Sequence, residues 1–128
     1  MSSPAVKEVR IPGPTHPITV TPNTNRVTVT FGGQTIADTR RALTLKEASL
    51  PAVYYIPRED ADMQALERTA HTTYCPYKGD AAYYRVNAGG RSSPNAVWSY
   101  EAPHAAMAAI KGYLAFYPDR VDSIQEAI

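Results

Sequence analysis

A single cysteine, Cys75, stands in 128 residues, so no intramolecular disulfide can staple the chain. Structural zinc needs four ligands, commonly paired cysteines, and one cysteine with three scattered histidines, His16, His71 and His104, does not supply them. No metal and no cofactor are expected. Charge of one sign is lacking too: 13 Lys and Arg stand against 12 Asp and Glu, a formal net charge of +1. That balance calls for neither nucleic acid nor an anionic membrane. The longest mostly apolar stretches, 102–110 and 112–117, fall well short of the ~18 residues a spanning helix needs. The opening "MSSPAVKEVRIPGPTHPITV" has no continuous apolar segment of a secretory leader. With the unpaired cysteine, it leads us to expect a soluble chain in a reducing, cytoplasmic setting. Several reaction fingerprints are missing as well: a dinucleotide glycine motif, a phosphate loop, a Gly-x-Ser-x-Gly elbow and His-Glu-x-x-His.

What is present is proline, short strand patterns and tyrosine. Four prolines in "IPGPTHPITVTP" favour an extended lead-in, because proline fixes its own φ and biases its predecessor away from helix. Residues 1–25 are therefore expected as a proline-rich arm and 26–128 as one globular domain. In "RVTVTF" the apolar Val27, Val29 and Phe31 alternate with polar partners. The pair "GG" supplies a two-residue turn and "QTIAD" returns, which predicts a hairpin. "ALTLKE" and "VYYI" read as two more strands. "EDADMQALERTA", with Asp60 as cap and Met63, Leu66 and Ala70 at helical spacing, predicts a short helix. "AAYYRVN" and "AVWSY" read as strands joined by the loop "AGGRSSPN". A second helix is predicted from Pro103 to about Gly112, then a last core strand in "YLAFY" with "RVDSI" pairing beyond it. The fold class expected is α+β, mainly antiparallel β, with two short helices.

The stretch "HTTYCPYKGDAAYY" raises the chemistry. A lysine near a cysteine, in a turn with exposed N–H groups, favours a thiolate, whereas a free cysteine elsewhere is most often a buried small hydrophobe. Lys78 beside tyrosines suits either an anionic group or a weak turn pair with Asp80. Glu47, set among apolar segments, would need a partner or a raised pKa if it points inward. All nine tyrosines fall between Tyr54 and Tyr117. Strand alternation puts Trp98 and Tyr100 on one face and sends Tyr83 and Tyr84 to opposite faces, so some of these rings line core or pocket.

The blocks "PGPTHPITVTPNTNRVTV", "GGQTIADTRRALTLKE", "PAVYYIPREDADM", "CPYKGDAAYY", "AVWSYEAP" and "IKGYLAFYPDRV" resemble, in content and order, the uncharacterised family numbered 427 among domains of unknown function. The resemblance spans roughly residues 11 to 122. That family also carries a nucleotidyltransferase-like label, but the Gly-Ser pair with a following Asp-x-Asp is absent here. The resemblance implies a fold similar to the β-tent group, two small sheets meeting over a ligand cleft, in a version without metal. It places Glu47, Tyr55, Cys75, Lys78, Gly79, Tyr84, Trp98, Tyr100 and Pro103 at matching positions and transfers no catalytic role.

Three readings follow. The first is a small enzyme-like domain that takes a small polar or anionic metabolite in a cleft lined by Tyr55, Tyr84, Trp98 and Tyr100. There Lys78 holds an anionic or carbonyl group, Glu47 is a general base or its partner, and Cys75 is a nucleophile or a wall residue. The second is a non-catalytic ligand- or protein-binding module with Cys75 structural. The third is an interaction domain pairing as a homodimer through a strand edge or the arm.

Overall fold

Alternation decides the strands. In the computed structural model, which describes residues 7–128, β1 covers Ile18–Asn23, β2 Arg26–Phe31 and β3 Gln34–Thr39. β4 covers Ala42–Glu47, β5 Val53–Tyr55, β6 Leu66–Cys75 and β7 Gly79–Ala88. β8 covers Arg91–Ser99, β9 Ala115–Phe116 and β10 Ser123–Ala127. Val27, Val29 and Phe31 are buried while the threonines between them are half-exposed, as expected of a strand with one face on a core. Among the described residues all pairings are antiparallel, in three sheets ordered β1-β4-β5, β10-β2-β3 and β6-β7-β8-β9. The mainly antiparallel expectation holds. Two small sheets are corrected to three, because β1 leaves the lead-in to pair along the whole of β4.

The two expected helices are also corrected. Over 58–65 there are only two 3-10 turns, Arg58–Asp60 and Met63–Ala65, and Leu66 already pairs with Val86 in β7. The threonine-rich run from Thr69 to Thr73 suits a strand, and a long partner in β7 is available. Asp60 does not cap a helix. Its carboxylate accepts from the Thr39 hydroxyl at 2.7 Å and from Arg41 at 3.0 Å, while Asp62 caps the second turn through the Gln64 N–H. The segment after Pro103 is a 3-10 stretch, Ala105–Ile110, broken at Met107 (φ −114°, ψ 21°), whose buried Met107 and Ile110 hold it to the core.

The loop read in "AGGRSSPN" shrinks to Gly89-Gly90. β8 begins at once, and a register irregularity lets Pro94 and left-handed Asn95 (φ 53°) sit within it. The two glycine-pair turns pack on each other. A Cβ on Gly32 would overlap the Ala88 carbonyl, and one on Gly89 would overlap the Gly32 carbonyl, so only glycine fits at this crossing.

Two apolar clusters result. One gathers Val27, Val29, Ile36, Val86, Val97 and Leu114, the other Leu45, Tyr55, Tyr83, Tyr100 and Ile110. Strands β7 and β9 contribute to both, since Tyr83 and Ala115 face one cluster while Tyr84 and Phe116 face the other.

Candidate functional site

Glu47 is the last residue of β4, and Lys78 lies in the turn joining β6 to β7. The turn closes through the Lys78 N–H to the Cys75 carbonyl at 3.2 Å and is held from behind by the His104 N–H on the Lys78 carbonyl at 3.0 Å. Gly79, at φ 109°, allows the chain to re-enter the sheet directly after it. The Lys78 side chain is thereby turned inward and is only 9% exposed, and Glu47 opposite it is 14% exposed. The Lys78 ammonium donates to Glu47 Oε1. The second carboxylate oxygen, Oε2, lies 2.8 Å from His16 Nε2. The His16 ring stacks on Tyr77, with centroids 4.3 Å apart and planes 10° from parallel. The chain reaches this point because Ile18 pairs with Glu47, which sets His16 just beyond the end of the ladder.

Burial acts to raise the Glu47 carboxyl, but the hydrogen bonds from Lys78 and His16 outweigh it and hold the group below the ordinary carboxylate value. A carboxylate with both oxygens occupied and a lowered pKa is a weak general base and a firm anchor.

Above the pair opens a cavity of about 210 Å³. Glu47 and Lys78 form its polar end, Leu45 and Val53 its aliphatic wall, and Tyr55, Tyr83, Trp98, Tyr100 and Tyr117 its aromatic walls. Trp98 is fixed by its Nε1–H donating to the Tyr55 hydroxyl at 3.2 Å and by the Tyr117 ring 4.4 Å away. Burial pushes the Tyr55 and Tyr100 hydroxyls upward, so both stay protonated donors at neutral pH. The Tyr117 hydroxyl is pushed up to about 12, by burial first and then by its hydrogen bond with Tyr83. No buried side-chain N or O among the described residues lacks a partner. Tyr100 is one of the residues that line the cavity. Lys78 has three N–H bonds. Glu47 takes one, and the Cys75 sulfur at 3.9 Å is at most a weak second.

Of the residues singled out in the sequence, Glu47, Tyr55, Lys78, Trp98 and Tyr100 meet at this cavity. Cys75 is half-exposed and packs beside the Tyr83 and Tyr100 cluster without lining the cavity. Tyr84 lies on the opposite face of β7. Its hydroxyl donates to Glu101 at 2.9 Å and accepts from Arg58 at 3.0 Å, in a cluster that Arg68 completes through Glu101 at 2.8 Å. Sequence reasoning missed His16, Tyr83 and Tyr117. Alternation held the clue for Tyr83, which shares the Ala81 face. Nothing local signalled His16, which is brought in only by the pairing of β1 with β4.

The family model described as "Domain of unknown function (DUF427)" matches residues 19–127. The chain belongs to this family. No curated protein matches it. The match to the domain of unknown function contains Glu47, Lys78 and every aromatic wall of the cavity, but it starts after His16.

Proposed function

We propose that this member of the family binds a small polar molecule whose hydrogen-bond acceptor, a carbonyl or an anionic oxygen, seats on Lys78 against the aromatic walls. One observation carries the reading: Lys78, Tyr55 and Tyr100 line a single cavity, and each carries a hydrogen-bond donor, the ammonium of Lys78 with only one strong partner, Glu47. A donor-lined polar end with aromatic walls is complementary to an acceptor-bearing ligand. Glu47 fixes the Lys78 ammonium in place, and Trp98 offers a flat apolar surface held rigid by Tyr55. The engaged, pKa-lowered Glu47, and Cys75, which sits beside Lys78 but does not line the cavity, favour binding over acid-base or thiol chemistry.

The test is a thermal-shift and calorimetric screen of small amides, ketones, carboxylates and phosphates, repeated on Lys78→Ala and Tyr100→Phe. Loss of a charge-assisted hydrogen bond is worth ~1.5–3 kcal/mol, so Lys78→Ala should weaken a true ligand at least about tenfold. Ligands that bind equally well to both variants would overturn the assignment.

A further inference from the structure

A second cavity, of about 220 Å³, adjoins the first. Its lining is apolar: Val29, Ile56 and Phe116 form a buried floor, with Ile124 and Pro118 on one side and Ala52 at the rim. Val53 and Trp98 line both cavities, so the two are separated only by these partly exposed side chains. Trp98 is thus a shared wall, fixed by Tyr55 and Tyr117 on the Lys78 side. A dry apolar cavity of roughly 150 Å³ is enough to hold a benzene ring, so a space of this size admits one ring or a short alkyl chain. The polar groups on the second cavity are already engaged: among the described residues its one hydroxyl-bearing side chain is Tyr54, whose hydroxyl is taken by Glu126, and the Trp98 N–H is taken by Tyr55.

We infer that the ligand is amphipathic, with its acceptor head on Lys78 and a short apolar tail that crosses Val53 and Trp98 into the Val29, Ile56 and Phe116 cavity. This inference rests on the reading of the Lys78 site above and adds the class of ligand: a medium-chain or phenylalkyl carbonyl or carboxyl compound. The charges lining the first cavity cancel, Glu47 against Lys78, so a neutral carbonyl head such as a primary amide fits at least as well as a carboxylate.

The probes are two homologous series, linear primary amides and linear carboxylates from three to eight carbons, titrated against the fluorescence of the single tryptophan, Trp98. Each methylene that enters an apolar site should tighten binding about threefold to fourfold until the cavity is full. Ala52 is exposed at the rim, so Ala52→Phe can fill the cavity without disturbing the core, and Ile124→Glu places a charge beside it. The expected result is a chain-length gain in the wild type that flattens in both variants, while the shortest binders still depend on Lys78. Short members that bind in a Lys78-dependent way with no chain-length gain would overturn the tail and leave the head site standing. A gain that persists in Ala52→Phe and Ile124→Glu would put the tail elsewhere and overturn the inference equally. No binding by any member of either series, or binding indifferent to Lys78→Ala, would remove head and tail together.

Discussion

At the scale of the residue, the Glu47 and Lys78 pair is where sequence and structure meet. Each is nearly buried; Glu47 also has His16, but Glu47 is the one charged partner of Lys78 among the described residues. Replacing Glu47 by Gln should cost on the order of 2–4 kcal/mol in chemical denaturation, because it strands the Lys78 ammonium in a poorly solvated site. A further change of Lys78 to Met should restore part of that loss; a double variant as unstable as the sum of both single changes would mean the two do not interact. The sequence made both residues candidates because one lay among apolar segments and the other in a Pro-Tyr-Lys-Gly turn. It did not show that His16 occupies the second oxygen of Glu47. That contact depends on a register between strands about thirty residues apart, and no local pattern encodes it.

At the scale of the element, short-range chemistry was legible and long-range competition was not. The β2 and β3 hairpin and the β6 to β7 turn follow directly from alternation and turn residues. The two helices fail because β7 and the buried sites of Met107 and Ile110 reward conformations that a 3.6-residue period does not describe. The glycine pairs announced turns, yet their mutual contact is a tertiary fact. The last strand carries a testable device of the same kind. The Glu126 carboxylate in β10 accepts from Tyr54, Asn25 and Asn23, tying β10 to β5 and to the β1-β2 connection. These hydrogen bonds, that of Tyr54 first, lower its pKa from 4.5 to about 2. The folded-state value lies below the unfolded one, so the stability it contributes is present above about pH 4.5 and is lost as pH falls toward about 2. Glu126 is exposed, so solvent screening keeps its share small, and replacing it by Gln should make the acid limb of stability shallower between those values. Denaturation midpoints that fall with pH in the variant as steeply as in the wild type would show that this clip does not act.

At the scale of the whole molecule, three small sheets would be a poor recipe for cooperativity if each had its own core. They do not. β7 sends Tyr83 into the cluster that walls the cavity and Tyr84 into the other, and β9 divides Ala115 and Phe116 in the same way. Neither cluster can be lost without exposing one face of the strands that build the second, so unfolding should be a single transition. The chain supplies its own reporter, since Trp98, its one tryptophan, packs with the cavity cluster, while Ile36 is buried in the other. Ile36→Ala should cost about 2–5 kcal/mol by leaving a cavity beneath β3. If the two clusters melt together, the Trp98 fluorescence midpoint must fall as far as the far-ultraviolet dichroism midpoint, although Trp98 and Ile36 lie in different clusters. A Trp98 midpoint that stays in place while the dichroism midpoint drops would show that the two halves unfold separately. The candidate site would then rest on the cavity cluster alone, and its stability could be changed independently of the rest of the fold.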